Sequence, residues 1–166
     1  LNENRIIITE YIEANCPYCR YVEMSIIRDI IAKRDTINRM LVKSGNKPMP
    51  IIELKLVDVD ANDGSKDGQW FEQYSKKIGG RFTPVIKVGD TGKTHYLWGK
   101  EKQETISEKQ ISATAKLKND ILQEIQQIIT SVDLKGLYYN KDFYNPKRHL
   151  HQPPVKMMYQ PFGGYQ

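Results

Sequence analysis

The chain has 166 residues, 39% hydrophobic and 27% charged, which excludes a disordered or fibrous chain and leaves room for one domain with an appendage. Its 25 Lys and Arg against 20 Asp and Glu give a formal charge of +5, spread along the sequence, so a dedicated nucleic-acid partner is not expected. No apolar run approaches the ~18–20 residues of a membrane helix and no secretory leader pattern stands at the start, so neither a membrane partner nor secretion is expected.

Ile6-Ile7-Ile8, followed by Tyr11 and Ile12, is a β-branched and aromatic run that predicts a central strand. Asn15 is placed to cap a helix, with Pro17 in its first turn. Val22, Ile26, Ile30, Ile37 and Leu41 recur at helical spacing, skipping a turn at Lys33-Arg34, and predict a long amphipathic helix. Ser44-Gly45-Asn46-Lys47-Pro48 ends it. Residues 51–59 read as a second strand, with Ile52, Leu54 and Leu56 on its apolar side. After a turn-rich stretch, Trp70, Phe71, Tyr74 and Ile78 form one face of a short helix stopped by Gly79-Gly80. Residues 85–88 read as a third strand, Asp90-Thr91-Gly92-Lys93 as a hairpin turn, and residues 94–98 as a fourth strand. A second long helix is predicted over 105–130, its apolar residues being Ile111, Ala115, Ile121, Leu122, Ile125, Ile128 and Ile129. Strand-helix-strand units favour parallel pairing with a right-handed crossover, and the hairpin adds antiparallel strands. The expectation is an α/β domain over residues 1–131, a central mixed four-stranded sheet flanked by helices, followed by an extended tail over 132–166.

The two cysteines, Cys16 and Cys19, stand three apart in Cys16-Pro17-Tyr18-Cys19, between the first strand and the first helix. A disulfide-stapled secreted domain would scatter several cysteines, so the pair is not a structural framework. A closed zinc site wants four Cys or His ligands, and His95, His149 and His151 are far away in sequence, so no metal is expected. A pair of inert buried cysteines is the remaining bland reading, against which Pro17 and the helix-start placement argue. At a helix start, unpaired N–H groups and the positive end of the dipole stabilise an anion. Cys16 is therefore expected to have its thiol pKa lowered from about 8.5 towards the ~3.5–7.5 range and to act as a nucleophile. Cys19, one turn along, is placed to attack the mixed disulfide that Cys16 forms, and Arg20 adds positive charge nearby.

This stretch resembles the active site of the thioredoxin and glutaredoxin superfamily, its C-P-Y-C form looking like the glutaredoxin version. Lys55-Leu56-Val57-Asp58-Val59-Asp60-Ala61-Asn62 is similar to the end of a thioredoxin second strand and the turn after it, and Thr83-Pro84-Val85 stands where that family carries its cis-proline. The resemblance runs from residue 6 through the fourth strand, and the helix at 105–130 extends it. It implies a thioredoxin-like fold and thiol–disulfide oxidoreductase activity through Cys16 and Cys19, with Pro17, Tyr18, Thr83 and Pro84 against the substrate. Thr83-Pro84 would be cis, a form accessible because proline narrows the trans preference to about 0.5–1 kcal/mol. Its backbone would then face a substrate strand. Glu10 stands where thioredoxins carry a buried acid that exchanges a proton with the resolving cysteine; it either does so here or points, with Glu13, to solvent. The resemblance further implies no bound cofactor, reducing equivalents from glutathione or a protein reductase, protein disulfides or that reductase as partners, and a cytoplasmic location. Two departures stand out. Asn15 replaces the tryptophan that precedes the first cysteine in thioredoxins, and Trp98-Gly99-Lys100-Glu101 lacks the Gly-Gly and following acid that hold glutathione in glutaredoxins.

Residues 132–166 hold four of the eight prolines and seven of the sixteen aromatics, with no helical or strand period. Prolines stiffen an extended chain, and tyrosines anchor it with large, partly polar surfaces. The tail is expected either to wrap its own core or to dock on a neighbouring subunit through Tyr138, Tyr139, Phe143, Tyr144, Tyr159 and Phe162. In the second case the chain would be a structural or interaction subunit of a large assembly, such as a virion or an organellar complex.

Overall fold

The β-branched opening run forms strand β1 (Arg5–Ile12) in a computed structural model that describes residues 5–61, 63–91, 93–96, 107–129 and 133–139. Strand β2 (Ile51–Asp58) lies parallel to it, Ile6 opposite Ile52 and Ile12 opposite Asp58. Strand β3 (Val85–Val88) runs antiparallel along its other side, Ile8 opposite Val88 and Tyr11 opposite Val85. A two-residue stretch, β4 (His95–Tyr96), pairs antiparallel with β3 at the far edge. Of the fourth strand expected over 94–98, only this pairing falls on described residues. In the hairpin before it, Gly92 lies outside them, and the described residue with positive φ is Gly89, at +54°.

The crossover from β1 to β2 is one helical run in three parts: α1 (Pro17–Val22), a π turn over Glu23–Ile27, and α2 (Arg28–Lys43). The helix is capped by Cys16 rather than Asn15; the sulfur of Cys16 accepts the Cys19 N–H, while Asn15 is exposed in the preceding turn. In the wide turn the Arg28 N–H reaches back five residues to the Glu23 carbonyl, and the added residue lets Ile26 and Ile27 both point inward. Val22, Ile30, Ile37 and Leu41 continue that face as expected. The skipped turn is filled by Lys33, buried and bonded to Asp29. Gly45 (φ +79°) then ends the helix, with the Asn46 N–H on the Leu41 carbonyl at 2.8 Å.

Helix α3 (Lys66–Ile78) starts at Ser65, whose hydroxyl accepts the Gly68 N–H at 3.1 Å, and stops at Gly79. It buries Phe71 against Tyr11, Val57, Val59 and Val85, with Trp70 and Tyr74 at the margin. The opposite face of the sheet, carrying Ile6, Ile8, Ile12, Ile52, Ile86 and Val88, packs against α1, α2 and α4 (Ser107–Ile129). The stripe of α4 that enters this core is Leu117, Ile121, Leu122 and Ile125; Ala115 and Ile128, read as apolar-face residues, lie off it and are exposed. Leu56, expected on the apolar side of β2, is 41% exposed because β2 is an edge strand.

A short helix, α5 (Leu134–Tyr138), continues the same core. Leu134 and Tyr138 are buried among residues of α2 and α4, so the boundary expected at 131 falls inside the packed unit. Asp29 ties the three helices together: its Oδ2 accepts from Lys33 Nζ at 3.2 Å, from Lys118 Nζ at 3.0 Å and from the Tyr138 hydroxyl. Burial alone would raise the Asp29 pKa, but the tyrosine hydroxyl and the two ammonium groups outweigh it and hold the carboxyl below its ordinary range. No described helix is long and apolar enough to cross a membrane.

Candidate functional site

The two cysteines meet where β1 hands over to α1. Cys16 has extended backbone (φ −110°, ψ 96°), which turns the chain out of the strand, and Pro17, with its fixed φ and missing N–H, starts the helix. One turn then brings Cys19 back over Cys16, with Cα atoms 5.2 Å apart and the sulfurs joined in a disulfide. The Cys19 N–H donates to both the Cys16 carbonyl and the Cys16 Sγ, each at 3.1 Å. The two cysteines are not equivalent: Cys16 keeps 9% of its surface exposed, while Cys19 has none.

Thr83 joins them from the loop before β3. Its hydroxyl donates towards Cys16 Sγ at 3.7 Å, and the Thr83-Pro84 peptide is cis, as the resemblance implied. Pro84 is buried and Pro17 half-buried. Tyr18, expected against a substrate, is 3% exposed and belongs to the core cluster, because the second helical position turns its ring inward. Its ring contributes packing behind the pair rather than a surface for a ligand.

Glu10 points inward. Its neighbours two along in β1, Ile8 and Ile12, belong to the core cluster that contains both cysteines, and Glu10 is fully buried. Desolvation, reinforced by repulsion from Glu23 and only partly offset by Arg28, pushes its carboxyl well above the usual range. Neither carboxylate oxygen has a hydrogen-bond partner among the described residues. Glu13, the other open assignment, is half-buried beside Thr83. Burial and the charge of Asp60 raise its pKa, while Arg81 and a hydrogen bond with the Thr83 side chain work the other way. Sequence reasoning gave Glu13 no role; the available signal was its place three residues before Cys16, on the turn that Thr83 closes over.

Arg81 anchors the Thr83 loop. Its guanidinium bonds Glu72, Asp60 (3.3 Å) and the Val59 carbonyl (3.3 Å), which fixes the loop to α3 and to the end of β2.

The tail aromatics are split. Tyr138 is fully buried, its hydroxyl on Asp29, and Tyr139 is half-buried with its hydroxyl donating to Asn119 Oδ1 at 2.6 Å. Both hold α5 to its own core, so the expected anchoring of a partner through Tyr138 is corrected: a ring enclosed by α2, α4 and α5 offers no surface. Phe143, Tyr144, Tyr159 and Phe162 lie outside the described residues. Among the described residues no group of three or more His, Cys, Asp or Glu side chains is placed to hold a metal ion.

The chain was compared with family models, curated proteins and solved structures, and none of them matches it.

Proposed function

We propose that the protein is a thiol–disulfide oxidoreductase with a thioredoxin-like fold, Cys16 being the attacking and Cys19 the resolving cysteine. The observation that carries this reading is the asymmetry of the pair. Cys16 stands at a helix start, keeps 9% of its surface exposed and has two hydrogen-bond donors on its Sγ, whereas Cys19 is wholly buried behind it. Donors aimed at a sulfur favour its anionic form, and of the two cysteines the one that keeps some surface open is the better placed to meet a substrate disulfide. The strand order β2-β1-β3-β4, with one parallel and two antiparallel pairings, supports the four-stranded thioredoxin-like arrangement.

In the reducing direction the Cys16 thiolate attacks one sulfur of the substrate. The substrate S–S bond breaks, and its second sulfur leaves as a thiolate that takes up a proton. Cys19 then gives up its proton and attacks Cys16 Sγ; the mixed disulfide breaks and the remaining substrate sulfur leaves and is protonated. Two electrons have passed to the substrate, and the Cys16–Cys19 disulfide has formed. Two thiols, from glutathione or a protein reductase, restore the dithiol. The same steps run backwards oxidise a substrate dithiol. Glu10, buried on the strand face that Ile8 and Ile12 share with the cysteines, is the proposed group that exchanges the proton of Cys19.

Thiol-dependent reduction of a protein disulfide such as insulin tests the assignment. Cys16→Ser is expected to abolish turnover, and Cys19→Ser to accumulate mixed disulfides that a reductant releases. Normal turnover by the Cys16 variant overturns the reading.

The composition of residues 140–166, rich in proline and aromatic residues, favours a second role alongside the first: attachment to a larger assembly through that segment.

A further inference from the structure

Phe82 is 39% exposed, an unusual state for a phenylalanine in a loop whose other groups are tied down. Arg81 on one side is fixed by Glu72, Asp60 and the Val59 carbonyl, and Thr83 on the other reaches Cys16 Sγ. The ring itself has a seat. A Cβ placed on Gly80 would stand 2.9 Å from Phe82 Cε2 and 3.0 Å from Cζ, so the far end of the ring fills the space a side chain at position 80 would take. Scattered exposed apolar residues need no explanation. This one is an aromatic surface resting on Gly80, one residue from the group that contacts the attacking sulfur.

That position decides what it can touch. A substrate sulfur bonding to Cys16 Sγ comes alongside Thr83, and neighbouring residues of an extended chain are about 3.8 Å apart at Cα. A residue flanking the substrate cysteine therefore comes level with Phe82. A phenyl ring has only two side-chain torsions to fix on contact, so an apolar side chain laid on it gains binding energy at low entropic cost. The cation of the same loop, Arg81, is already neutralised by two carboxylates, which leaves it poorly placed to receive the carboxylates of a small anionic disulfide.

We propose that Phe82 is a specificity-determining residue that selects protein or peptide disulfides carrying an apolar side chain next to the cysteine. The inference rests on Cys16 being the nucleophile.

The test compares two disulfide-bonded peptides that differ only in a Leu or a Ser beside each cysteine, with kcat/KM measured for the wild type, Phe82→Ser, Phe82→Leu and Gly80→Ala. The wild type is expected to favour the Leu peptide about tenfold, the discrimination that one apolar contact in an enzyme site typically provides. Phe82→Ser collapses that ratio to about one, and Phe82→Leu retains most of it, each taken relative to the same tenfold contact. Gly80→Ala displaces the ring and lowers the ratio part of the way. A wild type indifferent to the two peptides, a ratio unchanged in Phe82→Ser, or a Phe82→Ser loss equal on both peptides overturns the proposal and leaves the oxidoreductase reading standing. A wild type that turns over neither these peptides nor insulin overturns both.

Discussion

Thr83 Oγ1 lies 3.7 Å from Cys16 Sγ across 67 residues of sequence, and the same sulfur accepts the Cys19 N–H at 3.1 Å. One donor comes from the helix that Cys16 caps, the other from the loop that leads into β3, so the two halves of the sheet converge on a single sulfur. In the reduced protein a thiolate gains more from both donors than a thiol does, the Thr83 proton being drawn to the sulfur in competition with the Glu13 carboxylate. Thr83→Val removes one of them with little change of shape. Its loss is expected to cost about 1–1.5 kcal/mol of thiolate stabilisation, below the ~1.5–3 kcal/mol of an ordinary bond to a charged group because the contact is long. The midpoint of the Cys16 alkylation rate against pH then moves up by about one pH unit. An unchanged profile sinks the claim that Thr83 prepares the sulfur for negative charge.

Glu10 allows a prediction with the opposite readout, stability rather than reactivity. Its folded pKa is raised, first by burial and then by Glu23, against an ordinary value of 4.5 in the unfolded chain. The unfolded state therefore releases this proton first as pH rises, and folding is penalised progressively from about pH 4.5 up to the raised folded value. Below that window the protonated acid is tolerated; above it, ionisation of a wholly buried carboxyl opposes the fold. Glu10→Gln removes the titration while keeping the shape. In urea unfolding at pH 5 and pH 8 the variant is expected to gain stability relative to the wild type at pH 8, with the gain shrinking towards pH 5. A wild type and variant that track each other across both pH values would show that Glu10 is ionised at no cost, which its burial forbids.

Parts of this arrangement were legible in the sequence and parts were not, for physical reasons. Ile6, Ile8 and Ile12 on one face and Tyr11 on the other announce a central strand, because β-branched and aromatic residues on both faces suit burial on both sides. The triplet Ile6-Ile7-Ile8 also hides the frame, since every position is apolar; whether Glu10 points in or out could be decided only once the strand was placed. The π turn is invisible for a related reason: Val22, Ile26 and Ile30 keep an ordinary four-residue spacing straight through it. Cys16 as its own helix cap follows from a sulfur acceptor that lies outside the usual capping set of Ser, Thr, Asp and Asn. Lys33 reads as a break in a hydrophobic stripe, but its ammonium group finds Asp29 and lies 4.2 Å over the Tyr138 ring. Helix α5 has five residues, too few to display a period, and its two core residues, Leu134 and Tyr138, are a single four-residue repeat.

That last helix gives the most direct separation between what the tail does for the fold and what it does beyond it. Truncation after residue 131 removes Leu134 and Tyr138, both buried, and takes the tyrosine hydroxyl from Asp29 while Lys33 and Lys118 stay beside it. Loss of a buried leucine and a buried aromatic ring costs about 2–5 kcal/mol each in other cores, enough together to unfold a domain of ordinary stability. Truncation after residue 139 spares the whole of α5 and its contacts with the other described residues. The expected outcome is a shorter protein whose urea midpoint matches the full chain, beside a 131-residue form that is unfolded or nearly so. Sedimentation of the full chain and the 139-residue form at matched concentration then reads the second role alone: a change in assembly state assigns it to residues 140–166. Equal sedimentation, together with unchanged capture of partners, removes it. A 139-residue form as unstable as the 131-residue one would mean that residues 140–166 also pack on the core, and the interaction reading would fall with the same experiment.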